Sequence, residues 1–81
     1  MNNNQLLQDL LSYIRENIED KDIERAWNKI DRMRCPLAMA DPQLYNDIDH
    51  LVEDFIFDNN LDDDWLYDEA GMDIEEIFEQ L

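Results

Sequence analysis

Residues 41–58, DPQLYNDIDHLVEDFIFD, have the pattern of an α-helix and of little else. Asp41 is a strong N-cap, because its carboxylate accepts from the unpaired N–H groups of a first turn. Pro42 follows at the first helical position, where its missing N–H costs nothing. Leu44, Ile48, Leu51, Val52 and Phe55 then recur at the helical period, and Tyr45 and Ile56 widen the stripe. Asp47, Asp54 and Asp58 share one flank, and the helix is expected to end near Phe57 or Asp58. Such a one-sided helix must bury its stripe against something.

The rest of the chain offers only more helix. Among 81 residues there are one Gly, one Val and no Thr. A sheet needs β-branched residues and turn glycines, so the inventory points to an all-α fold. At this length one domain is the limit, and an apolar fraction of 44% is ordinary for a folded one. Leu7, Leu11, Ile14 and Ile18, with Leu6 and Leu10 beside them, predict a helix over 5–18, with Asn2 and Gln5 as a capping box. The five-residue step from Ile18 to Ile23 throws the apolar stripe to the opposite face. The helix therefore breaks at EDKD, with Asp20 or Asp22 as the next N-cap.

A second helix over 21–34 carries Ile23, Ala26, Trp27, Ile30 and Met33 inward and Arg25, Lys29 and Arg32 outward. CPLAMADP reads as a connection, since Pro36 disfavours helix at Cys35. A last helix over 74–81 begins at an Asp73 cap, with Glu76 completing a box and Met72 stapling onto Ile77. The two Trp and the Phe residues fall at core spacings. The expectation is one compact bundle of four to five short helices over residues 1–81.

Charge divides this bundle in two. All six basic residues (Arg15, Lys21, Arg25, Lys29, Arg32, Arg34) lie in the first 34 positions beside seven acids, a net of −1. Residues 35–81 hold fifteen acids and no Lys or Arg, and the total is −16. Self-repulsion on this scale destabilises a compact state. It also excludes direct binding of nucleic acid or an anionic membrane, since both demand positive charge.

Enzymatic chemistry finds little support. One Ser, one His and one Cys stand far apart, and a single Gly cannot build a phosphate-binding loop. His50 lies among Asp47, Asp49, Glu53 and Asp54, where a solvated His is commoner than a metal ligand. Cys35 has no partner for an intrachain disulfide, which fits a reducing cytosol. No signal peptide and no run of about 18 apolar residues is visible, so a cytoplasmic location is expected, with no cofactor and no catalytic residue.

The stretch DNNLDDDWLYDE, residues 58–69, has the ligand spacing of an EF-hand calcium loop. Asp58, Asn60, Asp62, Asp64 and Glu69 would be its ligands. Against this, Asp63 stands where the loop needs a glycine in the left-handed conformation, Trp65 replaces a small aliphatic, and Ala70-Gly71 interrupts the exiting helix. The preferred reading is a short helix capped by Asp62, with Asp63, Asp64 and Trp65 in its first turn. Leu61 would staple onto Leu66, and Gly71 would end it.

The remaining signal is the acidic surface. Asp47, Asp54 and Asp58 are continued by Asp62, Asp63, Asp64, Asp68 and Glu69. Carboxylates four apart on a helix are separated by about 6 Å, within the range of phosphates along a nucleic-acid strand. These eight residues are the expected partner-binding face of a non-enzymatic inhibitor or regulator. Its partner would be a basic, nucleic-acid-binding protein met in the manner of a nucleic-acid mimic. In size, charge and helicity the chain resembles the small acidic inhibitors of phages and mobile elements and the immunity proteins of nuclease toxins; no motif carries a residue over. The alternatives are calcium binding at 58–69, and an oligomerisation module whose basic stripe meets another copy.

Overall fold

A computed structural model describes residues 3–81, which form six helices and no strand. They are α1 (Asn3–Asn17), α2 (Asp20–Met33), α3 (Leu37–Ala40), α4 (Pro42–Asp58), α5 (Trp65–Asp68) and α6 (Ile74–Glu79). The all-α class and the small compact bundle are as expected, with one more helix than the range allowed. The extra helix, α3, lies in the stretch read as a connection. The capping box at Asn2 and Gln5 lies in part outside the described residues.

Helix α4 is the centre of the bundle. Helix α1 packs against it on one side, and α3 and α6 make further contacts with it, while α2 meets α3. The Asp41 carboxylate accepts from the Leu44 N–H at 3.2 Å, so the cap forms as the sequence predicts. Leu44, Ile48, Val52, Phe55 and Ile56 are buried, and Leu51 is half-buried against them. Helix α1 contributes Leu6, Leu10, Leu11 and Ile14, and Ile18 just beyond it is buried too. Its stripe is thus turned slightly towards Leu10, which leaves Leu7 half-buried.

The break after α1 falls at Ile18–Glu19, and Glu19 rather than Asp20 or Asp22 is the N-cap of α2. Its side chain makes no capping bond. Its carbonyl instead accepts from Asp22 and Ile23. Helix α2 is less deeply buried than its pattern implies. Only Ala26 is fully enclosed, Met33 is exposed, and Trp27 is partly exposed while stacking on Phe78 at 4.7 Å between ring centroids.

Helix α3 is capped by a distant residue. Pro36 at its N-cap has no side chain to cap with. The Glu75 carboxylate from α6 accepts from both the Leu37 N–H (2.9 Å) and the Ala38 N–H (3.0 Å). Two of the helix's unpaired donors are satisfied across 38 and 37 positions of sequence, with Leu37 buried and α3 packed on α4. At the far end Asp73 caps α6 as expected, accepting from the Glu76 N–H at 2.8 Å, though the helix stops at Glu79. The radius of gyration is 12.7 Å, slightly above the roughly 12 Å of a spherical chain this size. The long axis is 39 Å against 23 and 18 Å for the others.

Candidate acidic interface

The eight carboxylates at Asp47, Asp54, Asp58, Asp62, Asp63, Asp64, Asp68 and Glu69 all belong to exposed residues. Two elements position them. The outer flank of α4 carries the first three, and the segment around α5 carries the rest. The α4 flank is outward because the opposite stripe, Leu44 to Ile56, is buried. The α5 segment is held by Trp65 and Leu66, at 1% and 2% exposure, with the Trp65 ring tilted against Phe55 at 6.2 Å. The Trp65 indole also donates to the Asn3 side-chain oxygen at 3.4 Å, and the Asn3 amide donates to the Glu69 carbonyl. The acidic turn is thereby tied to the start of the chain.

The row is not continuous. Asp62, Asp63, Asp64, Asp68 and Glu69 surround one open depression with Trp65 at its base. Asp63 also lines a second depression together with Glu53, Asp54 and Phe57. Asp47 belongs to neither. It accepts from the Gln43 side chain at 3.0 Å and lines a third depression with His50 and Asp22. Asp58 is exposed on the last turn of α4 and lines none of these depressions.

The turn between α4 and α5 differs from both readings of DNNLDDDWLYDE. The residue with left-handed backbone is Asn60 (φ 54), the third position of the calcium spacing, whereas the loop would need it at Asp63. Asn60 there closes α4. The Leu61 N–H reaches the Ile56 carbonyl at 2.9 Å and the Asn60 N–H reaches that of Phe57 at 3.2 Å, the Schellman arrangement. The proposed ligands Asp58 and Asn60 are therefore part of a helix end, and the chain does not adopt the loop of an EF-hand. The short helix forms, but two residues later than expected. Asp62 uses its carbonyl to bind the Trp65 N–H at 2.9 Å, and Asp64 is the N-cap without a side-chain bond. Gly71 closes the segment with φ 68, as its position predicts.

Counter-charge is scarce around the face. Among the described residues, the ion pairs are Lys21–Glu19, Arg25–Asp22 and Lys29–Asp41. Of the fifteen acids in residues 35–81, Asp41 alone has a cation within 4 Å among the described residues. Asp41 is also the one buried acid, and sequence reasoning found its cap but not its Lys29 partner at 3.7 Å. The negative field shows itself at half-buried Tyr45, whose hydroxyl is held above the ordinary tyrosine range by burial first, then by Tyr67, Asp49, Glu75 and Asp73.

Sequence reasoning missed Phe57. Read as core, it is 82% exposed, because it lies one turn beyond Glu53 on the acidic side of α4. Tyr67 is exposed as well, in keeping with its place among acids. No helix is long and apolar enough to cross a membrane among the described residues. No protein-family model, no curated protein and no solved structure matches the chain.

Proposed function

We propose that this chain is a non-enzymatic, cytoplasmic binding module that inhibits or regulates a basic protein by presenting carboxylates where that protein expects phosphates. One observation carries the reading. Among the described residues every acid of 35–81 but Asp41 lacks a Lys or Arg within ion-pair distance, and the acids at 62–64, 68 and 69 crowd one turn. Acids bonded to backbone N–H groups through their carboxylates are identifiable, namely Asp41, Asp73 and Glu75, and none of the eight interface residues is among them, although Asp47 accepts from the Gln43 side chain. Surface acids also aid solubility, but small domains usually need a net charge of about 2 to 8 in magnitude for that, well short of −16. Carboxylates gathered at such cost attract a cationic surface with fast, salt-sensitive association.

The test is capture of partners on the immobilised protein from its native cell, eluted between about 50 and 500 mM salt, where the screening length falls from roughly 14 to 4 Å. The retained proteins should be basic, should elute with salt, and should be displaced by added nucleic acid. Partners that are not basic, or that ignore both salt and nucleic acid, would remove the proposal.

A further inference from the structure

We infer that the Phe57 ring is the apolar anchor of the acidic face, and that its occupant is a cationic protein segment carrying an apolar or aromatic side chain between Lys or Arg residues. This rests on the acidic half being the binding face and names what it selects. Phe57 is the most exposed large apolar side chain among the described residues, at 82%. It lines a depression whose remaining apolar wall is Ile56 and Leu61, and whose charge comes from Glu53, Asp54 and Asp63, with no Lys or Arg beside them.

The backbone adds to the same sign. The depression lies at the C-terminal end of α4, the longest helix, where the macrodipole is negative. The carbonyls of Phe55, Ile56 and Phe57 are already bonded to Asn59, Leu61 and Asn60, so these three contribute field rather than open acceptors. An apolar centre inside a charged rim is the composition of a binding hot spot, where the centre supplies affinity and the rim supplies orientation. Charge complementarity then fixes the occupant. An anionic membrane, a nucleic acid or a second copy bearing −16 is repelled, whereas a basic segment is drawn in. Carboxylates alone would make a face that any polycation satisfies. With Phe57 among them the face distinguishes a cationic segment with an apolar side chain from one without.

Two synthetic peptides of equal length and charge separate these cases, an oligolysine and the same peptide with a central Trp, each titrated calorimetrically into the full chain. Both should bind and weaken with salt, the Trp peptide about tenfold more tightly. Phe57→Ala should erase that advantage, weakening the Trp peptide several-fold more than the oligolysine; Phe57→Tyr should keep it. The ring lies in solvent, so thermal unfolding of Phe57→Ala should match the parent. Equal affinities for the two peptides, or an advantage that survives Phe57→Ala, would overturn the anchor and leave the acidic-face reading standing. Failure of both peptides to bind would remove that reading and the anchor with it. Self-association of the parent that Phe57→Ala abolishes would assign the depression to a second copy and overturn the inference.

Discussion

Residues 3–34 and residues 35–81 bury apolar side chains in the same way and treat charge in opposite ways. In the first region acids and bases alternate, and two ion pairs, Lys21–Glu19 and Arg25–Asp22, are local and exposed. Pairs of that kind contribute little, about 0–1 kcal/mol. The second region has no Lys or Arg of its own, and two cations of the first reach it. Lys29 reaches the buried Asp41 carboxylate at the start of α4, and Arg15 donates to the Gln80 carbonyl at the end of α6, 2.7 Å away. Among the described residues, the Lys29–Asp41 contact at the seam is the one ion pair that reaches the acidic region. The difference separates acids that build the fold, which have backbone N–H or Lys partners, from acids that face water and remain available to a partner.

The largest effect expected is on the support beneath the acidic turn. Trp65→Ala empties the site of a side chain at 1% exposure and should cost about 3–5 kcal/mol in chemical unfolding. A loss under about 1 kcal/mol would mean that the turn is displayed by something other than this core, since a packed Trp cannot be removed so cheaply. Next is the seam. Asp41→Ala removes both the cap on Leu44 and the partner of Lys29, for an expected loss of about 2 kcal/mol. Asp41→Asn keeps an oxygen for the cap and should lose roughly half as much. Equal losses in the two variants would assign the whole effect to the ion pair.

The sequence showed the elements whose causes are local. Helix α4 was legible from Asp41-Pro42 and its stripe, and α6 from Asp73, because each cap lies within three residues of the N–H it satisfies. Helix α3 was not, because its cap is Glu75 and no local pattern announces a carboxylate arriving from 38 positions away. The eight acids of the proposed face were legible as a composition, but their grouping was not. Their division at Asp63 follows the left-handed turn at Asn60, and the separation of Asp47 follows from the α1–α2 junction at Asn17, Ile18 and Asp22 lying beside its end of α4. The same limit explains Phe57, Met33 and Trp27. Periodicity assigns apolar residues to a stripe, but how wide a stripe the neighbours cover is a tertiary fact.

The acidic region should also lose stability selectively at high pH. Burial and the surrounding negative groups hold the Tyr45 hydroxyl above its ordinary value. Below a pH of about 10 it is protonated in both the folded and the unfolded chain and costs nothing. As pH rises past that value the unfolded chain ionises first, so stability is lost through the window between the unfolded and the folded value. Tyr45→Phe should remove this part of the alkaline loss in unfolding curves taken on either side of pH 10. An unchanged alkaline loss in that variant would place its origin elsewhere.

The smallest effect bears most directly on the contrast between the regions. Asp54 and Asp58 stand four apart on α4 with no ion-pair partner among the described residues, and Asp58 lies at the negative end of the helix dipole. Like charges at that spacing destabilise a helix by about 0.2–0.5 kcal/mol, so Asp54→Asn and Asp58→Asn should each raise stability by about that amount. Asp22→Asn in the first region breaks the pair with Arg25 and should be neutral or slightly destabilising. Added salt should shrink the gain at Asp54 and Asp58, because it screens the repulsion that the substitutions relieve. The decisive quantity is the sign of the difference between the regions in urea midpoints at low salt. If neutralising Asp54 or Asp58 lowers the midpoint, those carboxylates hold the fold together, and the acidic face is structural rather than kept for a partner.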